Sequence, residues 1–178
     1  MMIVVPTRGR PHVVQEMTSA FWGTRTGIAE LCFAIDATDP EVEAYQKQLY
    51  GRASWVSSII GPSTNMVEAL RGATWQIVKR EEAIGFMGDD HRPRTYGWDA
   101  YFDGAIKRRH MVYGNALLQG PMLPTHIVMP AKMIELLHGI CPLTLTHFYV
   151  DNYWKTLGTS AGCIEYMGEV VIEHMHPV

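Results

Sequence analysis

The sequence has few cysteines and no excess of positive charge. Its 178 residues include three cysteines, 15 Lys and Arg, and 18 Asp and Glu, for a formal net charge of −3. Three cysteines without a CxxC pair argue against a disulfide-stapled secreted fold and favour a reducing compartment. The longest basic run is Lys107-Arg108-Arg109. We therefore expect no nucleic-acid polymer as a partner, because such binding depends on neutralising many phosphates.

Long apolar runs and several common catalytic motifs are also absent. No stretch approaches the roughly 18 apolar residues of a membrane span, and Pro6 and Arg8 follow the first residues too soon for a signal peptide. We therefore expect a cytoplasmic protein with no membrane span. The motifs GxxxxGK[ST], GxGxxG, HExxH and GxSxG do not occur, so P-loop, dinucleotide, zincin and serine-hydrolase chemistry have no support.

Short apolar segments alternate with amphipathic ones along most of the chain. This pattern predicts an α/β fold with a mainly parallel sheet and helices on both faces. The length fits one domain, which can bury a core without disulfides or a structural metal. Strands are predicted at 3–5, 31–35, 55–60, 83–87 and 111–113, and near 164–176 about Gly168; helices at 13–21, 41–49, 66–78, 98–109, 131–138 and 150–157; and a loop, a hairpin or both at 114–130.

Polar residues follow the predicted strands, where ligands bind in open parallel sheets. Cations follow one strand and carboxylates follow two others, a mixture that suits a negatively charged ligand held by arginines and a divalent metal. Six of the acidic residues are expected in or beside this cleft. The post-strand residues are Thr7, Arg8, Arg10, Asp36, Asp39, Asp89, Asp90 and His91, and the six acids are Asp36, Asp39, Asp89, Asp90, Asp99 and Asp151.

Two histidine-containing segments are candidate metal sites. In Asp89-Asp90-His91, adjacent carboxylates repel each other, which is easier to explain if a cation lies there; an Asp-rich turn is the alternative. In His174-Met175-His176, residues two apart on a strand face the same side, so both imidazoles can enter one site. A solvent-facing pair near the chain end is the alternative there.

Asp151 lies among aromatic residues in Tyr149-Val150-Asp151-Asn152-Tyr153-Trp154. Such surroundings raise the pKa of a carboxyl and suit it to general-base work. A helix N-cap is an equally good interpretation of the same residue. The spacing does not separate the two roles.

Taken in order, these segments resemble a small nucleotide-sugar glycosyltransferase of the GT-A fold. The resemblance covers nearly the whole chain and includes the first strand and turn (3–11), a helix start (64–70) and a DxD-type metal segment (85–91). The string is also similar to a group of short glycosyltransferase-like proteins of actinobacteria and their phages. The segments that carry this second likeness are 92–95, 97–99 and 114–115.

The resemblance implies a single GT-A-like domain, with a donor-binding part at 1–113 and an acceptor-side, catalytic part at 114–178. It leaves open whether the acceptor-side, catalytic part is truncated at the C-terminus. The implied activity is that of a hexosyltransferase that moves a sugar from a UDP- or GDP-sugar to a hydroxyl of an unknown acceptor. Mn²⁺ or Mg²⁺ is implied as cofactor, with Asp90, His174 and His176 as ligands and Asp151 as the base. The implied donor contacts are Thr7, Arg8, Arg10, Asp36, Asn65, Asp89 and Arg92.

The chain departs from the family pattern at two places. Gly88-Asp89-Asp90 is not a strict DxD, and no Glu precedes Asp151. Two alternatives remain open. One is a binuclear metallophosphoesterase, which the chain resembles in Gly88-Asp89 and Gly114-Asn115, although it lacks several of the ligands of that class. The other is a nucleotide-sugar-binding protein without turnover.

Overall fold

The computed structural model describes residues 1–175, which form one eight-stranded sheet with helices packed against it. No helix in this range is long and apolar enough to cross a membrane. The strands are β1 (Met2–Thr7), β2 (Glu30–Asp36), β3 (Val56–Gly61), β4 (Ala83–Phe86), β5 (His91–Pro93), β6 (Met111–Asn115), β7 (Ile127–Pro130) and β8 (Ile164–His174). The helices are α1 (Val13–Thr24), α2 (Val42–Leu49), α3 (Met66–Ile77), α4 (Trp98–Lys107), α5 (Ala131–Leu136) and α6 (Val150–Ser160).

The strand order is β3-β2-β1-β4-β7-β6-β8-β5. Strands β1 to β4 run parallel to one another, and β8 runs parallel to β6. The antiparallel strands are β7, between β4 and β6, and β5 beside β8. The predicted α/β fold with a mainly parallel sheet is confirmed. Strand β5 was not predicted, and the ambiguous segment 114–130 contains β7.

Alternate residues of the central strands bury opposite faces of the sheet. Ile3 and Val5 pack with α1, α2 and α4, whereas Val4 packs with α3, α5 and α6. Both faces of β1 are therefore dry, which explains why its sequence is a continuous apolar run without alternation. This double burial confirms the prediction of helices on both faces.

The connections leave a crevice at the carboxyl ends of β1 and β4. The chain passes through α1 from β1 to β2 and continues outward to β3, then returns through α3 to β4 on the other side of β1. The loops that follow β1 and β4 therefore leave in opposite directions. In open α/β sheets this reversal is where ligands bind.

Strand β8 is irregular, and this irregularity brings its end to the crevice. Gly114 pairs with Met167 but Asn115 pairs with Val171, so several residues of β8 bulge out of the ladder. A side chain at residue 114 would collide with the carbonyl oxygen of Val170, so this close approach requires glycine. Beyond the bulge β8 pairs with β5, which places His174 opposite His91.

Candidate functional site

A pocket of about 220 Å³ lies at the carboxyl ends of β1 to β4. The segments that follow β1, β2, β3 and β4 supply most of its wall, as the rule for parallel sheets predicts, and the loop before α6 supplies the rest. Seven of the residues singled out from the sequence line it: Thr7, Arg8, Arg10, Asp36, Asn65, Asp89 and Asp90.

Asp89 lies in the pocket wall at the end of a directed hydrogen-bond chain. The backbone N–H of Arg10 donates to the Tyr45 hydroxyl (2.8 Å), which lies 2.9 Å from the Thr7 hydroxyl. Thr7 in turn donates to the Asp89 carboxylate (2.7 Å), and the Arg10 guanidinium contacts the other carboxylate oxygen at 2.7 Å. Burial raises the pKa of Asp89 and outweighs the opposing effects of Thr7 and Arg10. Asp89 is thus a nearly buried acceptor held in one orientation.

Asp36 forms the neighbouring part of the wall at the end of β2. The backbone N–H of Thr38 donates to it (3.0 Å), the Thr38 hydroxyl donates as well (2.9 Å), and Arg8 pairs with it. The Thr38 backbone bond is the main cause that lowers the pKa of Asp36, against the effect of burial. Asp36 therefore keeps its negative charge at neutral pH.

Asn65 is both a pocket residue and the N-cap of α3. Its side-chain oxygen accepts the backbone N–H of Glu68 (3.0 Å), and the Glu68 carboxylate accepts the backbone N–H of Thr64 (2.8 Å). This reciprocal capping fixes the first turn of α3 at the pocket edge. The positive end of the helix dipole therefore adds to the potential that favours an anion there.

Three candidate metal ligands meet beside the pocket. Ligand atoms of Asp90, His91 and His174 all lie within 4.8 Å of one another. The two imidazole rings are stacked at 4.2 Å between centroids. Asp90 and His91 are neighbours in the sequence, and the β5–β8 pairing brings His174 to them by setting it opposite His91.

The donor chemistry of this cluster fits a divalent cation. Burial raises the pKa of Asp90, but hydrogen bonds from His174 and His91 outweigh it and leave the pKa lowered. Burial lowers the pKa of His91, so its imidazole is favoured in the neutral form that metals bind. His91 Nε2 lies 3.2 Å from the Thr125 hydroxyl, and this contact orients the ring with Nδ1 toward Asp90. One carboxylate and two imidazoles form a ligand set for a divalent transition metal, whereas Mg²⁺ prefers oxygen ligands.

Arg92 does not join the pocket residues. Its guanidinium is buried and donates to the carbonyl oxygens of Asp89 and His91, both at 2.8 Å, and it pairs with Glu16 of α1. Because these partners engage the guanidinium inside the protein, the structure does not support the expected direct contact with a donor phosphate. Arg92 instead holds the backbone of the Asp89–His91 turn.

Other predicted site residues lie in different places. Asp151 is in the first turn of α6, half-buried, and it accepts the backbone N–H of Asn152 (2.9 Å); it does not line the pocket described above. His176 lies outside the described residues, so its role as a metal ligand stays a prediction.

The placement of Asp99 in or beside the cleft is wrong. Asp99 accepts backbone N–H groups from the loop before β2, at the opposite end of the sheet.

Two residues of the site were not singled out from the sequence. Tyr45 is on α2 and fully buried, so its position looks like an ordinary core position. His147 lines the pocket from the loop before α6, far along the chain from the other lining residues. Neither residue carries a local motif, and only the packing of distant segments brings them to the site.

No protein-family model matches the chain, and no curated protein matches its sequence. Solved structures do match. The mannosyltransferase PcManGT from Pyrobaculum calidifontis, in complex with GDP-Man and Mn²⁺, has a TM-score of 0.75 and 12% identity, over 99% of this chain and 56% of its own. S. aureus TarS 1–349 in complex with UDP has a TM-score of 0.67 and 13% identity, over 96% of this chain and 58% of its own.

A third similar structure is nearer to this chain in length. A putative nucleotide-diphospho-sugar transferase from Desulfovibrio desulfuricans G20 has a TM-score of 0.60 and 11% identity, over 97% of this chain and 81% of its own. The chain has the GT-A fold. It spans 56% of the PcManGT chain, 58% of TarS 1–349 and 35% of a longer TarS chain. The likeness to actinobacterial and phage proteins stays a prediction.

Proposed function

We propose that the protein is a metal-dependent glycosyltransferase that moves a sugar from a nucleoside-diphosphate sugar to an acceptor hydroxyl. The observation that carries this proposal is the cluster of Asp90, His91 and His174 beside a pocket lined by Arg8 and Arg10. A centre for a divalent cation next to paired arginines suits a diphosphate ligand. GT-A structures similar to this one contain GDP-Man with Mn²⁺, or UDP. Because all three cysteines are free thiols, a reducing cytoplasm is the proposed compartment.

Different pocket residues are assigned to different parts of the nucleotide-sugar donor. We assign Asp36 to the nucleobase and Asp89 to the ribose hydroxyls, since both are acceptors fixed by hydrogen bonds. Arg8 and Arg10 are about half exposed, so each has N–H groups that can bind phosphate oxygens in addition to its carboxylate partner. Asn65 and Thr7 complete the wall at the ends of α3 and β1.

Asp90, His91 and His174 would hold Mn²⁺ or Mg²⁺, with Mn²⁺ favoured by the two imidazoles and His176 as a further candidate ligand. The bound metal would supply Lewis-acid stabilisation of the departing nucleoside diphosphate. The cluster is too small for a two-metal phosphoesterase centre, which needs more ligands than three. Residues 1–175 contain no other such group of potential ligands.

Asp151 is the proposed base if the reaction inverts the anomeric carbon. The acceptor oxygen then bonds to that carbon, its proton passes to the Asp151 carboxylate, and the bond to the diphosphate oxygen breaks. The start of α6, where Asp151 lies, is joined through the preceding loop to the pocket residue His147. If the reaction retains the configuration, this role disappears.

Thermal unfolding with nucleotides tests the proposal. UDP or GDP, or one of their sugars, should raise the Tm of the full chain in the presence of Mn²⁺ and much less in the presence of EDTA, because binding to the folded state alone stabilises it. Loss of metal-dependent stabilisation is expected for Asp90→Asn, which removes a ligand charge. If neither nucleotide raises the Tm with Mn²⁺ or Mg²⁺, the proposed function is wrong.

Asp151→Asn separates transfer from donor binding. We expect this variant to bind nucleotide with the wild-type affinity and to lose about 100-fold or more in transfer or donor hydrolysis, the usual contribution of a general base. A variant with the wild-type rate would contradict the base assignment. Donor binding without turnover in the wild type, whatever the acceptor, would favour a non-catalytic nucleotide-sugar-binding protein.

A further inference from the structure

His147 reaches the pocket from a segment that otherwise lies away from it. It is in the loop before α6, where the backbone carbonyl of Thr146 accepts the N–H of Val67 in α3 (3.3 Å). On the other side of His147, Tyr149 has a left-handed backbone (φ 69°) and starts α6. The loop is thus attached to α3 on one side and to α6 on the other, and it presents His147 at the pocket wall.

The other charged side chains of the pocket already have partners. Arg8 pairs with Asp36, Arg10 pairs with Asp89, and Asp90 contacts His174 at 3.3 Å. The His147 side chain makes no hydrogen bond or ion pair with any residue in the range 1–175, and its ring contacts that of Phe148 edge to face. Its ring nitrogens are therefore available to a ligand without the loss of an existing bond.

The charges of the pocket indicate which part of a ligand His147 serves. The wall contains two guanidinium groups and three carboxylates, which leaves one net negative charge. A diphosphate adds further negative charge, while both arginines already share theirs with carboxylates. An imidazole N–H in the pocket wall is a hydrogen-bond donor that partly offsets this repulsion.

We propose that His147 donates a hydrogen bond to the diphosphate of the nucleotide sugar from the part of the pocket wall that the loop before α6 supplies. This inference rests on the proposed function and extends it to a residue outside the metal cluster and the β1 turn. The diphosphate is then held by groups on two sides: the arginines after β1 and the imidazole before α6.

Calorimetric titration of the full chain with UDP and GDP in the presence of Mn²⁺ tests the proposal. His147→Ala should weaken binding of the nucleoside diphosphate by about 10-fold to 100-fold, the range for a hydrogen bond to a charged group. Binding of the corresponding nucleoside, measured by competition, should change less than twofold. His147→Gln, which keeps an N–H donor, should recover part of the affinity.

Thr144→Ala is the matched control, because Thr144 is on the same loop, is exposed and does not line the pocket. An equal loss of affinity in this control would assign the effect to the loop and overturn the role of the imidazole. Equal losses for nucleoside and nucleoside diphosphate in His147→Ala would overturn the assignment to the diphosphate. Wild-type affinity in His147→Ala would overturn the proposal and leave the proposed function intact, whereas a wild type that binds neither nucleotide would overturn both.

Discussion

At the scale of single residues, the buried hydroxyl of Tyr45 organises two charged groups of the pocket. It accepts a hydrogen bond from the backbone N–H of Arg10 and donates one to the Thr7 hydroxyl, which in turn donates to Asp89. The Thr7 hydroxyl has one proton and donates it to Asp89, so Tyr45 must be the donor to Thr7. The direction of all three hydrogen bonds is therefore determined. The orientation of the Asp89 carboxylate therefore depends on a side chain from α2 that a ligand does not need to touch.

Tyr45→Phe should lower the free energy of unfolding by about 2 kcal/mol, because the partly buried N–H of Arg10 loses its acceptor. Denaturation with urea measures this change. Tyr50→Phe is the control, since Tyr50 is 91% exposed and should give a change near zero. Equal stability of Tyr45→Phe and the wild type would show that the hydroxyl chain contributes nothing to the fold.

The residue types of the site were largely predictable, but the roles of some were not. Asp89 and Asp90 follow an apolar strand, a pattern that local sequence reveals. Arg92 follows them just as closely, yet its guanidinium is buried against backbone carbonyls and Glu16. Sequence position gives no sign of which way a long side chain turns, because that choice depends on the helix packed beside it.

At the scale of elements, Asp99 fastens α4 to the loop that leads into β2. Its carboxylate accepts the backbone N–H groups of Thr26 (2.8 Å), Ile28 (3.0 Å) and Ala29 (3.1 Å). Burial raises the pKa of Asp99, but the hydrogen bonds, first that of the Thr26 backbone, outweigh it and leave the pKa lowered. This carboxylate therefore stabilises the folded state only while it is ionised.

Asp99→Asn should lower the free energy of unfolding at pH 7 by about 3 kcal/mol, because an amide cannot accept so many N–H groups. The difference from wild type should stay constant down to about pH 5. Below about pH 4 it should shrink, since the pKa in the folded state lies below the unfolded value of about 3.9 and the wild type then loses the same contribution.

Chemical denaturation across this pH range, with Asp103→Asn as control, measures the Asp99 effect. Asp103 is on the same helix and pairs with the exposed Lys107, so its substitution should cost about 0.5 kcal/mol or less. A gap between wild type and Asp99→Asn that stays constant down to pH 2 would contradict the argument.

Periodicity predicted most of the strands and helices but missed the three-residue strand β5. The apolar runs of β1, β2 and β4 and the helical stripe of α3 are visible because each repeats its pattern over several residues. Strand β5 has three residues, one of them proline, and its ladder depends entirely on the end of β8. That end lies beyond the irregularity beside Gly114, and nothing local encodes the pairing.

At the scale of the whole molecule, the two parts of the chain share both cores. The face covered by α1, α2 and α4 includes Val170 and Ile172 of β8, and the opposite face includes Trp154 of α6. Trp154 is almost fully buried, packs 5.2 Å from the ring of Phe86 in the pocket wall, and donates to the carbonyl oxygen of Ile140 (2.7 Å). Residues 1–113 therefore depend on later residues for burial.

Trp154→Ala should lower the free energy of unfolding by about 4 kcal/mol, because it leaves a large cavity between α6 and β4. Unfolding should remain one transition when followed by tryptophan fluorescence and by far-UV circular dichroism. Trp75→Ala is the control, since Trp75 is 56% exposed on α3 and should change stability by less than about 1 kcal/mol. Two separate transitions in the wild type would mean that the donor-binding part folds by itself.

The sequence by itself determined the alternation of strands and helices, the parallel half of the sheet, and the polar residues at its carboxyl edge. These follow from local patterns of burial and from the rule that parallel strands end at one edge. Only the tertiary structure decided that His91 faces His174, that His147 lines the pocket with Tyr45 behind its wall, and that Arg92 and Asp99 hold elements together. Those outcomes depend on contacts between residues far apart in the sequence, such as Asp90 and His174, which are 84 positions apart, and the geometry of such contacts is set by packing.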